Sequence, residues 1–74
     1  MHALLSSLLK KKGVTIDTAN SDDHGFIVGL DDELVYLGAV GTDADQGIKG
    51  GSVLPGCTAY KAIRISAIIA LRNL

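Results

Sequence analysis

The chain has 74 residues, a net charge of −1 and an apolar fraction of 47%. That length allows one domain, and the near-neutral charge excludes a global electrostatic pull toward nucleic acid, so any nucleic-acid site must be a local cluster. A lone core of this size supplies only about 3–5 kcal/mol; with Cys57 as the only cysteine, no disulfide or zinc cluster adds to it, and a partner subunit is the expected source of further stability.

The first element is a predicted helix over residues 3–12. Leu4, Leu5, Leu8 and Leu9 fall on one stripe, Lys10, Lys11 and Lys12 occupy the last turn, and Gly13 stands in the C′ position. The lysines follow the apolar run instead of preceding it, so the segment does not read as a signal peptide. The period then changes to two. Val14 and Ile16 alternate with Thr15 and Asp17 in a first strand, and Asn20 to Asp23 form a turn cluster. Residues 25–30 and 34–37 read as two more strands, separated by Asp31, Asp32 and Glu33. Residues 41–56 are glycine-rich, carry the only proline, Pro55, and read as a long loop.

Residues 60–71 admit two readings. As a helix, Ile65, Ile68 and Ile69 share a face. As strands, residues 62–65 and 68–71 flank a brief Ser66-Ala67 turn, and the isoleucines at 63, 65, 68 and 69 favour this reading. The most apolar stretch, residues 63–71, is interrupted by Arg64 and is far below the ~20 residues that span a bilayer. A cytoplasmic protein without membrane contact is expected, and the free cysteine agrees with a reducing compartment.

Two segments resemble the two motifs of the Sm-like (LSm/Hfq-type) family. The first runs from Gly25 through Asp31 to Leu37, with the aspartate six residues after the glycine and Ile27, Leu34 and Leu37 at the apolar positions. The second is Ile63-Arg64-Ile65-Ser66-Ala67 followed by an apolar run, with Tyr60-Lys61 in front, as in the Hfq form. The resemblance covers roughly residues 4–40 and 60–71. It implies a mostly β fold with a short N-terminal helix and a five-stranded, strongly bent barrel. The segments would be a helix at 3–12, first-motif strands at 13–40, a Gly-rich loop at 41–59 and second-motif strands at 60–72. It also implies a homo-oligomeric ring of six or seven copies, in which the fourth strand of one subunit pairs with the fifth of the next and Ile63, Ile65, Ile68 and Ile69 are buried at the interface.

RNA is the partner the resemblance implies, with altered or weakened specificity. Asp31, Arg64, Lys61 and Tyr60 are the candidate pore residues, and Lys10, Lys11 and Lys12 a basic face that ring copies would multiply. Arg64 is also expected to pair with Asp31, since an arginine fork holds a carboxylate and still presents donors. The chain departs from the family pattern at four positions. Glu33 stands where a base-stacking aromatic or histidine is usual, and Val35 where an asparagine is frequent. Ile65 replaces the glycine after the arginine, and Ala62 the Hfq-type histidine. The alternatives are a ring scaffold for a protein partner without RNA, and a small interaction module of another fold.

No cofactor is expected. Asp43-Ala44-Asp45-Gln46-Gly47 has part of a calcium-loop pattern, but Leu54 stands where the bidentate glutamate belongs. His24 beside Asp22 and Asp23 reads as a polar turn rather than a metal site. Residues 47–52 lack the Gly-Lys-Ser/Thr ending of a phosphate loop, and Cys57 has no activating cation near it in sequence. No nucleophile comes with a recognisable general base, so no catalysis is expected.

Overall fold

The computed structural model describes residues 1–41, 47–48 and 51–73. A short helix, α1 (His2–Ser7), leads into five strands: β1 (Gly13–Asp17), β2 (Asp22–Leu30), β3 (Leu34–Val40), β4 (Cys57–Arg64) and β5 (Ala70–Arg72). All pair antiparallel in one sheet of order β4-β3-β2-β1-β5. The sheet does not close on itself, so β4 and β5 are its two edges.

α1 is shorter than the helix expected over residues 3–12. It buries Leu5 and ends at Ser7, and Leu8 and Leu9 continue in tight turns bonded back to Leu5 and Ser6. Lys10 then takes a left-handed backbone conformation, with φ of +60°, and donates its N–H to the Ile27 carbonyl at 2.9 Å. The lysine tract has no apolar face to hold against the sheet, so the chain turns there to enter β1. Gly13 is therefore not the helix cap. It opens β1 opposite Phe26.

The residues 60–71 resolve to the strand reading. β4 runs to Arg64, a single 3₁₀ turn spans Ile65–Ala67, and β5 begins at Ala70. Both neighbours of β3 carry a bulge. Register slips between Ile27 and Gly29 on β2, leaving Val28 as the extra residue, and β4 inserts Tyr60 opposite the step from Leu37 to Gly38. Bulges bend a strand and raise its twist. The sheet curls enough for Lys61 of β4 to reach across β3 to Asp23 of β2, Nζ to Oδ2 at 2.8 Å.

Alternation sends apolar side chains to both faces. One cluster joins Leu5, Val14, Ile16, Ile27, Val35, Leu37 and Ile63, with Leu8, Leu9, Ile65, Ile68 and Leu71 packed against it. The other joins Val28, Tyr36 and Ala59, with Phe26, Leu34, Val53 and Cys57 around them. Part of the long loop covers this second face. Val53 bridges Gly29, and Leu54 donates its N–H to the Val28 carbonyl at 2.8 Å. Among the described residues no helix is long and apolar enough to cross a membrane.

Candidate functional site

The turn between β2 and β3 is organised by Asp31. Its Oδ1 accepts the backbone N–H groups of Glu33 at 2.9 Å and Leu34 at 2.7 Å, and Oδ2 accepts the Tyr36 hydroxyl at 3.4 Å. The Glu33 and then the Leu34 N–H hold the Asp31 carboxyl below its ordinary value of 3.8, against a desolvation that acts the other way. The expected Asp31–Arg64 ion pair does not form. Among the described residues the ion pairs are Lys61–Asp23, Arg72–Asp17 and Arg72–Asp22. Backbone donors of its own turn occupy Asp31 Oδ1 and the Tyr36 hydroxyl lies on Oδ2, which makes this residue a turn-former.

Asp31 and Arg64 nevertheless belong to segments that meet. The Ile65 N–H, in the 3₁₀ turn after β4, donates to the Glu33 carbonyl at 2.8 Å. Between the two turns lies a pocket of about 400 Å³ lined by Asp32, Glu33, Arg64, Ile65 and Ser66. It holds two carboxylates and one guanidinium and no aromatic ring. Val35, at the position where a polar ligand contact was conceivable, is fully buried in the core.

A second groove, also about 400 Å³, runs between β4 and the β1–β2 turn, and Ser21, Asp23, Lys61, Arg64 and Ile69 are among its walls. The Lys61 Nζ there donates to Asp23 Oδ1 at 2.9 Å and to the Ser21 hydroxyl at 3.3 Å. The hydrogen bond from Lys61 is the largest influence holding the Asp23 carboxyl below its ordinary range. Lys61 is thus engaged in the fold rather than standing free. Tyr60, the bulge residue, is exposed and lines neither groove. Lys10, Lys11 and Lys12 are exposed on the connection from α1 to β1 and also line neither.

The four isoleucines expected at an interface divide. Ile63 is 5% exposed and belongs to the internal core, which corrects its expected place between subunits. Ile63 is the one buried residue in this end of β4, between exposed Ala62 and Arg64. Ile65 and Ile68 are half-buried against the same core, and Ile69 alone is open, at 68%.

Two polar clusters carried no sequence signal. The Arg72 fork grips Asp17, Nε to Oδ2 at 2.8 Å and Nη2 to Oδ1 at 2.9 Å, and so clamps β5 to β1. Hydrogen bonding from Arg72 is the main cause that lowers the Asp17 pKa. Beside it the buried Thr15 hydroxyl accepts the Asn73 side-chain amide at 2.7 Å and shares a 2.7 Å hydrogen bond with His24 Nδ1. The Arg72–Asp17 and Asn73–Thr15 pairs join residues 55 and 58 positions apart, and only the folded sheet brings them together. Among the described residues no three His, Cys, Asp or Glu side chains gather as a metal would need. Residues 43–46 of the calcium-like pattern, and Lys49 and Gly50, lie outside the described residues.

Comparison with family models, with curated proteins and with solved structures gives no match for this chain.

Proposed function

We propose that the chain is an Sm-like protein that builds a homo-oligomeric ring, β4 of one subunit joined to β5 of the next, and that single-stranded RNA is its ligand, held with altered or weakened specificity. One observation carries this reading: the two edge strands of the sheet are β4 and β5, the strands that join subunits in that family, with the loop bonded to β4 at Ala59 through the Ile48 N–H and the stretch from Ala62 to Arg64 beyond it. The Ile65 N–H points to Glu33, so by antiparallel alternation Ala62 and Arg64 turn their backbone groups to the free edge. Unpaired edges recruit further strands, and a contact between two different edges of the same molecule is heterologous, giving a ring where the rotation per subunit closes and a filament where it does not. Ile69 stands exposed just before β5, suited to burial against a neighbour.

RNA is supported by the meeting of the two motif turns around the pocket at Glu33 and Arg64, and by the exposed Lys10–Lys12 tract, which a ring repeats in every subunit. The acidic Asp31-Asp32-Glu33 turn favours a second reading, a ring that assembles a protein partner instead.

Native mass spectrometry of the purified protein, with absorbance at 260 nm on the same sample, tests the proposal. A discrete hexamer or heptamer that shifts toward monomer in Ile69→Lys is expected, with co-purifying nucleic acid released by salt. A stable wild-type monomer sinks the ring. A ring that binds no RNA at low salt leaves the scaffold reading.

A further inference from the structure

The pocket between the two turns has side chains with unused hydrogen-bonding capacity. Among the described residues, the Asp32 and Glu33 carboxylates and the Arg64 guanidinium take part in no ion pair or side-chain hydrogen bond. Their backbones are fixed all the same. Asp31 clamps the Glu33 and Leu34 N–H groups, and the Ile65 N–H ties the Glu33 carbonyl to the opposite wall. Acceptor-only groups and a donor-only fork therefore line one space of about 400 Å³, with Ile65 as an apolar flank.

With no aromatic ring in the pocket, the identity of an entering base is decided by its edges. Guanine alone among the four bases offers two adjacent donors, N1–H and N2–H, on its Watson–Crick edge, and two acceptors, O6 and N7, on its Hoogsteen edge. Uracil offers a carboxylate one N–H flanked by two repelling carbonyls. Adenine and cytosine offer an amino group next to a ring nitrogen lone pair. Arginine paired with guanine O6 and N7 is the commonest specific base contact, and unstacked single-stranded bases are read on both edges. The Asp32 carboxylate repels phosphate at this rim, so a base edge enters rather than the backbone.

We propose that this pocket selects a guanine of single-stranded RNA, the Glu33 carboxylate accepting N1–H and N2–H and the Arg64 fork donating to O6 and N7. The inference rests on the RNA-binding reading above and adds its base preference.

The test is fluorescence anisotropy at low salt with the assembled protein and three labelled hexaribonucleotides, UUGUUU, UUAUUU and UUUUUU. The guanine oligomer should bind about tenfold more tightly than the other two, the discrimination of one good bidentate pair. Glu33→Gln, an exposed substitution whose assembly is checked by native mass spectrometry, should bring the three within about threefold of one another by removing that pair. Arg64→Lys should also reduce the preference, since an ammonium cannot form the fork. Equal wild-type affinities overturn the guanine assignment while leaving RNA binding in place, as does a preference that survives Glu33→Gln. No binding to any of the three overturns the RNA reading itself.

Discussion

Asp31 Oδ1 lies 2.7 Å from the backbone nitrogen of Leu34, closing the turn from which β3 departs. The Asp31 carboxyl is held below its ordinary value of 3.8, as are those of Asp17 and Asp23. A depressed carboxylate stabilises the fold fully above its unfolded value, and that contribution is lost as the pH falls through the lower native value. The urea midpoint should therefore stay nearly level from pH 7 to about 5 and drop below about pH 4. Asp31→Asn keeps one acceptor but loses the charge, so its acid-induced drop should be smaller than wild type. An unchanged drop would show that Asp31 takes no part in it.

Gly38 sits where β3 passes between two bulges, and a Cβ there would overlap the Thr58 carbonyl and come within 2.8 Å of Ala59 Cα. Both obstacles are backbone of a paired strand and have little room to move. Gly38→Ala should cost about 2–3 kcal/mol or more, as overpacking does. Gly13 meets nothing within 4 Å, and Gly13→Ala should be neutral or stabilising by up to about 1 kcal/mol. Urea denaturation of the two variants checks the pair, and equal stabilities would remove close packing at Gly38 as the cause.

Lys10 holds a φ of +60°, a conformation that costs a side chain with a Cβ about 1–2 kcal/mol. Lys10→Gly should raise the stability by about 1 kcal/mol while Lys10→Ala does not. Thermal unfolding distinguishes them. A gain shared by both variants would point to relieved lysine–lysine repulsion instead of backbone strain.

Much of the strand pattern was legible before folding. Val14 and Ile16, Leu34 to Leu37 and the isoleucines from 63 onward carry alternation and β-branching, which act within a few residues. The β2–β3 turn was equally plain in Asp31-Asp32-Glu33. The pocket was legible only as two separate motifs, because nothing local says that the Ile65 N–H meets the Glu33 carbonyl.

What the sequence by itself determined, then, is the order helix, three strands and a long glycine-rich connection, with residues 60–71 favouring strands over a helix, because periodicity and turn chemistry are short-range properties. The tertiary structure decided the rest. It ended α1 at Ser7, carrying Leu8 and Leu9 onto the core in tight turns and turning the chain at Lys10 into β1. It assigned the Asp31 oxygens to their own turn and to Tyr36, and left Arg64 without them. It placed bulges at Val28 and Tyr60, turned Ile63 into the core, and left β4 and β5 as the edge strands. Each of these outcomes depends on which strand lies beside which, and that is settled by burial summed over the whole chain rather than by any one stretch of it.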